Sequence, residues 1–298
     1  MADDTIILEN EHGRAVISPF AGASLRSLQA VAGNDRFELI SGGDGPHDPR
    51  NVESGTGCFI MAPWPNRIRD GELYVDGAVA HRLPITSGRH AMHGTVRKRV
   101  WSNLGFSESA AHLALKLFPP WPYPGFLEYE VKLEGPSLLQ SFTITNSGGF
   151  DFPFGLGWHP WFRRDLGNGP ALVHIPGQEI VWELDDEMTS TGRQLTPEGP
   201  TDLRSPVTPE VDSLDHCFRV KEGSVSTLKW PGGPTLSITS SDNVSHLQVY
   251  SPDRAICVEP QTCAVDSFRL QAEGHEGTGA LVVTGENSVS GWTRWSWG

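Results

Sequence analysis

The chain has 298 residues, with 36 acidic against 23 basic side chains and a formal net charge of -13 at pH 7. Its lysines and arginines are scattered rather than striped, and a field of this sign repels polyanions, so nucleic acid is not an expected partner. The first thirty residues lack a basic start followed by an apolar run, and no stretch approaches the length of a membrane span, so a cytoplasmic protein without membrane contact is expected.

No Gly/Ser tract, block of like charge or internal repeat divides the chain, so a single domain over residues 1–298 is expected. Cys58, Cys217, Cys257 and Cys263 match no zinc spacing and are too few to staple a chain of this length. Free thiols are the expected state.

In chain order, the first segment able to carry chemistry is "APWPNRIRDGEL", in which two prolines and a tryptophan stand before Asn66 and Arg67. Proline bracketing makes a rigid loop, from which Arg67 would offer forked donors to sugar-like oxygens; pairing with Asp70 is the alternative. "HAMHGTVRKRVW" follows, with His90 and His93 ahead of Arg97, Lys98 and Arg99, a dense basic patch in an acidic chain. No nearby acid or cysteine completes a metal set around the two histidines, so no metal is expected.

Prolines and glycines then interrupt most windows that could hold a long helix, whereas short period-two patterns survive. "HLALKLF" alternates. In "LEYEVKL", Leu127, Tyr129, Val131 and Leu133 alternate with Glu128, Glu130 and Lys132, the pattern of a sheet with one wet face. A turn at Gly135-Pro136 leads into "LLQSFTIT", so the two runs should pair antiparallel. "TLSIT", "HLQVY", "AICVE" and "ALVVT" supply further strands. Pattern predicts an all-β protein of many mainly antiparallel strands, and leaves barrel and sandwich open.

Two strands carry candidate reactive groups. In "PFGLGWHPWF", extended backbone puts Phe154, Leu156 and Trp158 on one face and Gly157, His159 and Trp161 on the other. A polar ring beside a flat aromatic and a residue without a side chain suits a sugar, whose C–H face stacks while its hydroxyls find directed partners. A histidine hydrogen-bonded in the core is the alternative. In "AICVEPQTC", Cys257 and Glu259 face one way and the strand is expected to stop at Pro260; a carboxylate on an apolar strand costs free energy unless paired or used.

Together these segments resemble the aldose 1-epimerase (galactose mutarotase-like) family, in the family's order: "NRIRDGELYVDG", "HG" with Trp101 beyond it, "YPGFLEYEVKLEG", "GWHPWF", "LDHCF" and "VEPQT". The resemblance implies a β-supersandwich with few short helices, a sugar as the small-molecule partner, a monomer or homodimer, and neither cofactor nor metal. It implies His159 as general acid and Glu259 as general base in ring opening and re-closure of an aldohexose. It places substrate-binding roles at Arg67, His93 and Asp215, with Asn66, Gln261 and a stacking role for Trp161. The acids Glu259 and Asp215 are expected to favour the imidazolium form of His159. Trp161 stands where relatives commonly carry tyrosine, and relatives acting on hexose 6-phosphates use arginine near Arg97 and Arg99, which makes a phosphorylated sugar the second reading. A sugar-binding module without turnover is a third, and a glycoside hydrolase, which needs two carboxylic groups, a fourth.

Overall fold

In the computed structural model, which describes residues 5–42 and 55–298, the alternating patterns fold as strands. Leu127, Tyr129, Val131 and Leu133 are buried along the strand Gly125–Leu133, while the charged residues between them are half-exposed. This strand pairs antiparallel with Ser137–Asn146, setting Leu127 opposite Ile144 and Tyr129 opposite Phe142. Because the side-chain period is two, that register delivers every apolar residue of both strands to the same face.

The pair belongs to an eight-stranded sheet; a larger, twelve-stranded sheet lies against it. The path through the larger sheet is open, from Ile6–Asn10 at one edge to Ser190–Leu195 at the other, so it is a sandwich rather than a closed barrel. One core draws on both sheets. Phe142 of the smaller sheet meets Trp158 of the larger at 6.0 Å between ring centroids, and Trp295 meets Phe162 at 5.1 Å. Buried aromatics of this size contribute roughly 1.5–3 kcal/mol each through surface removed from water. The fold is thus the expected all-β sandwich with few helices: among the described residues there is one short α-helix, Ser267–Ala272. None of those residues forms a helix long and apolar enough to cross a membrane. All four cysteines are free and buried.

Within the larger sheet the strand order runs Cys58–Met61, Gly157–Pro160, Ala255–Gln261, His246–Tyr250, Asp215–Val220, Gln178–Leu184. The strand bearing Glu259 does not stop at Pro260, as its sequence suggested, but continues to Gln261, with Pro260 opposite Leu247. Its other edge is laddered only at its ends, to Phe162–Arg163 and to Gly157. An interrupted edge is where a residue lacking an N–H is tolerated inside a sheet.

Two loops close over this part of the sheet and hold one another. Arg67 pairs with Met92, the amide of His93 donates to the Asn66 carbonyl at 2.8 Å, and that of Thr95 donates to the Ala62 carbonyl at 2.7 Å. Gly94 makes the approach possible. Its φ is +66°, and a Cβ there would lie 1.9 Å from the Ala62 carbonyl oxygen. Gly94→Ala is therefore expected to cost about 2–4 kcal/mol, the sum of a left-handed backbone penalty and a clash with rigid main chain. Urea unfolding measures it; a loss under about 0.5 kcal/mol would mean that the two loops are not so tightly joined.

Candidate active site

Register alone brings the two candidate reactive groups together. Gly157 lies opposite Gln261 on neighbouring antiparallel strands, so two residues inward His159 lies opposite Glu259. Facing residues on such strands have Cβ atoms about 4.5–5.5 Å apart. The side chains close that gap: His159 Nε2 stands 3.4 Å from Glu259 Oε1, with both residues almost fully buried. The row continues on either side, with Phe59 opposite His159 and Gln248 opposite Glu259.

The imidazole is clamped. Trp161 stacks on it at 5.0 Å and 12° between planes, Phe59 lies 4.6 Å away on a tilted plane, and His93 meets it edge-on at 5.3 Å. Above this floor is a cavity of about 340 Å³, lined among others by Asn66, Arg67, His93, Arg97, Asp215 and Tyr250. Seven of the eight residues singled out from sequence line it together: Asn66, Arg67, His93, His159, Trp161, Asp215 and Glu259. Gln261 does not. It shares Glu259's face but is fully buried, with Nε2 donating to the Cys263 carbonyl at 2.9 Å and to Cys217 Sγ. Ala264, Val265 and Leu270 pack over Cys217 and Trp182 in a small second core that roofs this end of the face.

Arg67 is not paired with Asp70, which binds Arg89 instead; its Nη1 donates to Asn66 Oδ1 at 3.0 Å. The two arginines of the "RKR" patch diverge. Arg97 reaches the cavity with its guanidinium 5.3 Å from the Phe59 ring centre, whereas Arg99 lies over Phe118 and donates to the Pro119 carbonyl at 3.3 Å. Asp215 accepts a hydrogen bond from Gln248 Nε2 at 2.5 Å, and Tyr250 stands opposite it on the next strand. Phe59 and Tyr250 carried no motif signal in the sequence. The cross-strand register that exposes them exists only in the sheet.

Burial governs the electrostatics. Desolvation, then the Asp215 charge, pushes the Glu259 carboxyl well above its ordinary range, with Arg67 opposing. Desolvation, then the Arg97 charge, lowers the His159 imidazole to about 3. The expected imidazolium is therefore not the favoured form of the empty site: taking the ring out of water outweighs the neighbouring acids. His93 is lowered too, by burial and by His159, Arg97 and Arg67. Among the described residues, His159, Cys257 and Glu259 bring N, S and O ligand atoms within 4.8 Å of one another. The Cys257 thiol is pushed well up by burial and by Glu259, which keeps it in its poorly ligating protonated form.

Behind the cavity, Asp266 fixes the Arg67 loop. Its own amide donates to the Arg67 carbonyl at 3.0 Å, its Oδ1 accepts from the Arg69 amide at 3.0 Å, and its Oδ2 pairs with Arg269 Nε at 2.6 Å.

The architecture is galactose mutarotase-like. It matches the GalM/aldose epimerase homologue from C. elegans with a TM-score of 0.85 at 17% identity, over 99% of this chain and 98% of that one. It matches galactose 1-epimerase from Lactobacillus acidophilus NCFM with a TM-score of 0.78 at 17% identity, over 99% and 94%. Among curated sequences, the "Uncharacterized protein YihR" of Escherichia coli (strain K12) is 24% identical over 233 residues, 75% of each chain. The family model described as Aldose 1-epimerase matches residues 4–276, and the chain belongs to that family.

Asp266→Ala is expected to cost about 1–3 kcal/mol, because it leaves the Arg69 amide without its acceptor and takes one carboxylate from Arg269, which keeps its ion pair with Glu273 at 2.7 Å. Denaturant unfolding checks the cost. Faster amide exchange at Arg69 in the refolded variant would register the loosened Arg67 loop.

Proposed function

We propose that the chain is an aldose 1-epimerase that interconverts the α and β anomers of a free aldohexose, with His159 and Glu259 exchanging the two protons. One observation carries the reading: an imidazole and a carboxyl group stand 3.4 Å apart at the floor of a cavity large enough for a hexose. The anomeric oxygen and the ring oxygen are both bonded to C1, so one compact pair reaches both.

Glu259 as carboxylate takes the proton from the C1 hydroxyl. The C1–O5 bond breaks with its electrons moving to the ring oxygen, which receives the proton of His159, and C1 becomes the aldehyde carbon. Rotation about C1–C2 presents the other carbonyl face, and closure returns both protons. The opening step leaves a neutral imidazole beside a protonated carboxyl, the arrangement burial favours. Ring opening thus removes a buried ion pair, which is costly to hold away from water. Arg67, which lowers the Glu259 pKa, supports the carboxylate before the step. Arg67 and Asn66 are suited to bind sugar hydroxyls, and the Trp161 and Phe59 rings that fix the imidazole also keep water from it.

A second reading, a hexose 6-phosphate, is favoured by Arg97 alone. It lines the cavity, and among the described residues no ion pair joins it to a carboxylate. Arg97→Ala should then abolish activity on glucose 6-phosphate in an anomer-specific coupled assay and spare free glucose; the opposite pattern assigns the arginine to free sugars.

Polarimetry on freshly dissolved α-glucose and α-galactose tests the first reading. Glu259→Gln and His159→Ala should each lower kcat by about 10²- to 10⁴-fold, the usual worth of one general acid or base; a variant at near wild-type rate would remove its residue from the chemistry. The pair works while it holds one proton, whichever partner carries it. A second proton binds only as the pH approaches the His159 value of about 3. From pH 6.5 to pH 5, kcat/KM should therefore fall less than about twofold, although free imidazole titrates near 6.5. The alkaline limb marks loss of the proton from the pair. Because the Asp215 charge raises the Glu259 pKa, Asp215→Asn should move that limb to lower pH.

A further inference from the structure

The sheet that carries the reactive pair splits beside it. The ladder between Gln178–Leu184 and Asp215–Val220 ends at Val181 opposite Phe218. Past that point the first strand stays with Ser190–Leu195 as far as Leu184 opposite Ser190, while the second stays with His246–Tyr250 as far as Asp215 opposite Tyr250. Backbone at 182–184 and at 215–217 is left without a ladder partner across the gap. A cleft of about 840 Å³ occupies the split. It meets the 340 Å³ cavity at Asp215, which lines both.

The combined trough exceeds what one pyranose fills. From the Glu259 strand to the Asp215 strand is two strand spacings, about 10 Å at roughly 4.8 Å each, and the cleft begins there. A hexose seated with C1 on the pair has Asp215 at the far wall of its cavity, and the cleft extends beyond Asp215. The lining states the chemistry of what would enter. Leu184 and Met188 offer apolar contact, Thr196 and Ser213 offer hydroxyls, and Asp212 and Glu198 offer carboxylate acceptors. No lysine or arginine lines the cleft, so it suits a neutral polyol and repels an anion. Both cationic side chains of the trough, Arg67 and Arg97, line the other cavity.

We infer that the cleft is a subsite for a second sugar unit, so that the preferred substrate is a reducing disaccharide. Its reducing unit lies over His159 and Glu259, and its second unit, linked through an oxygen remote from C1, lies between the diverging strands. This deepens the epimerase reading and rests on it for the placement of C1.

The experiment compares maltose, cellobiose and lactose with glucose and galactose, by mutarotation rate and by calorimetric titration, on the wild-type chain and on Ser213→Trp and Thr196→Trp, which fill the cleft without touching the pair. At least one disaccharide should exceed its monosaccharide in kcat/KM by about tenfold, and the tryptophan variants should erase that margin while changing the monosaccharide rate less than about twofold. Disaccharide rates at or below the monosaccharide rates, or equal losses on both, overturn the subsite. If no sugar is mutarotated, the catalytic reading falls and calorimetry decides the subsite alone. Disaccharide binding tighter than monosaccharide binding and lost in Ser213→Trp sustains it; equal binding overturns it.

Discussion

A buried imidazole facing a buried carboxyl group across two antiparallel strands is the contact on which the rest of this molecule turns. Neither group belongs in an apolar interior by itself, and here they face one another at 3.4 Å. The sheet holds that distance rigidly. Register at Gly157 and Gln261 sets the two residues opposite, and the rings of Trp161 and Phe59 pack against the imidazole. Desolvation then acts on both at once, raising one pKa and lowering the other, and so prefers the neutral pair. In the proposed ring opening the ion pair becomes a neutral pair, and closure restores it.

Around this floor, the walls are built from chain segments far apart in sequence. The Asn66–Arg67 loop and the His93–Gly94 turn lock to each other through main-chain bonds, and Asp266, nearly two hundred residues later, ties the first of them down from behind. These are loops on a stiff sheet, the usual place for groups that must recognise a ligand. Charge is distributed along the trough rather than pooled. The guanidinium groups stand over the reactive pair, and the carboxylates of Asp212 and Asp215 stand towards the split between the strands. A ligand lying along it meets cations at one end and acceptors at the other.

Much of this was legible beforehand, for a physical reason. Alternation along "LEYEVKL" and "AICVE" reads as strand because a pleated chain must send successive side chains to opposite faces, and that local rule also placed His159 beside Trp161 and Cys257 beside Glu259. What went wrong did so where neighbours decide. Pro260 looked like a terminus but sits inside a strand whose edge happens to be interrupted. Gln261 shares the face of Glu259, yet a segment two to nine residues further along folds back to roof it. Arg97 and Arg99 look equivalent in "RKR" and point to different places. The imidazolium expected from nearby acids is not favoured, since burial, unknown to a sequence, outweighs them.

The sequence by itself determined the strands, the faces of those strands, and a family resemblance strong enough to name a histidine and a glutamate. Only the tertiary structure decided that the two meet, how far apart they stand, which proton state they prefer, and that the sheet divides next to them. The reason is that local backbone geometry fixes which way a side chain points, whereas distance, desolvation and the ending of a ladder are properties of pairs of strands that the chain brings together from a hundred residues apart.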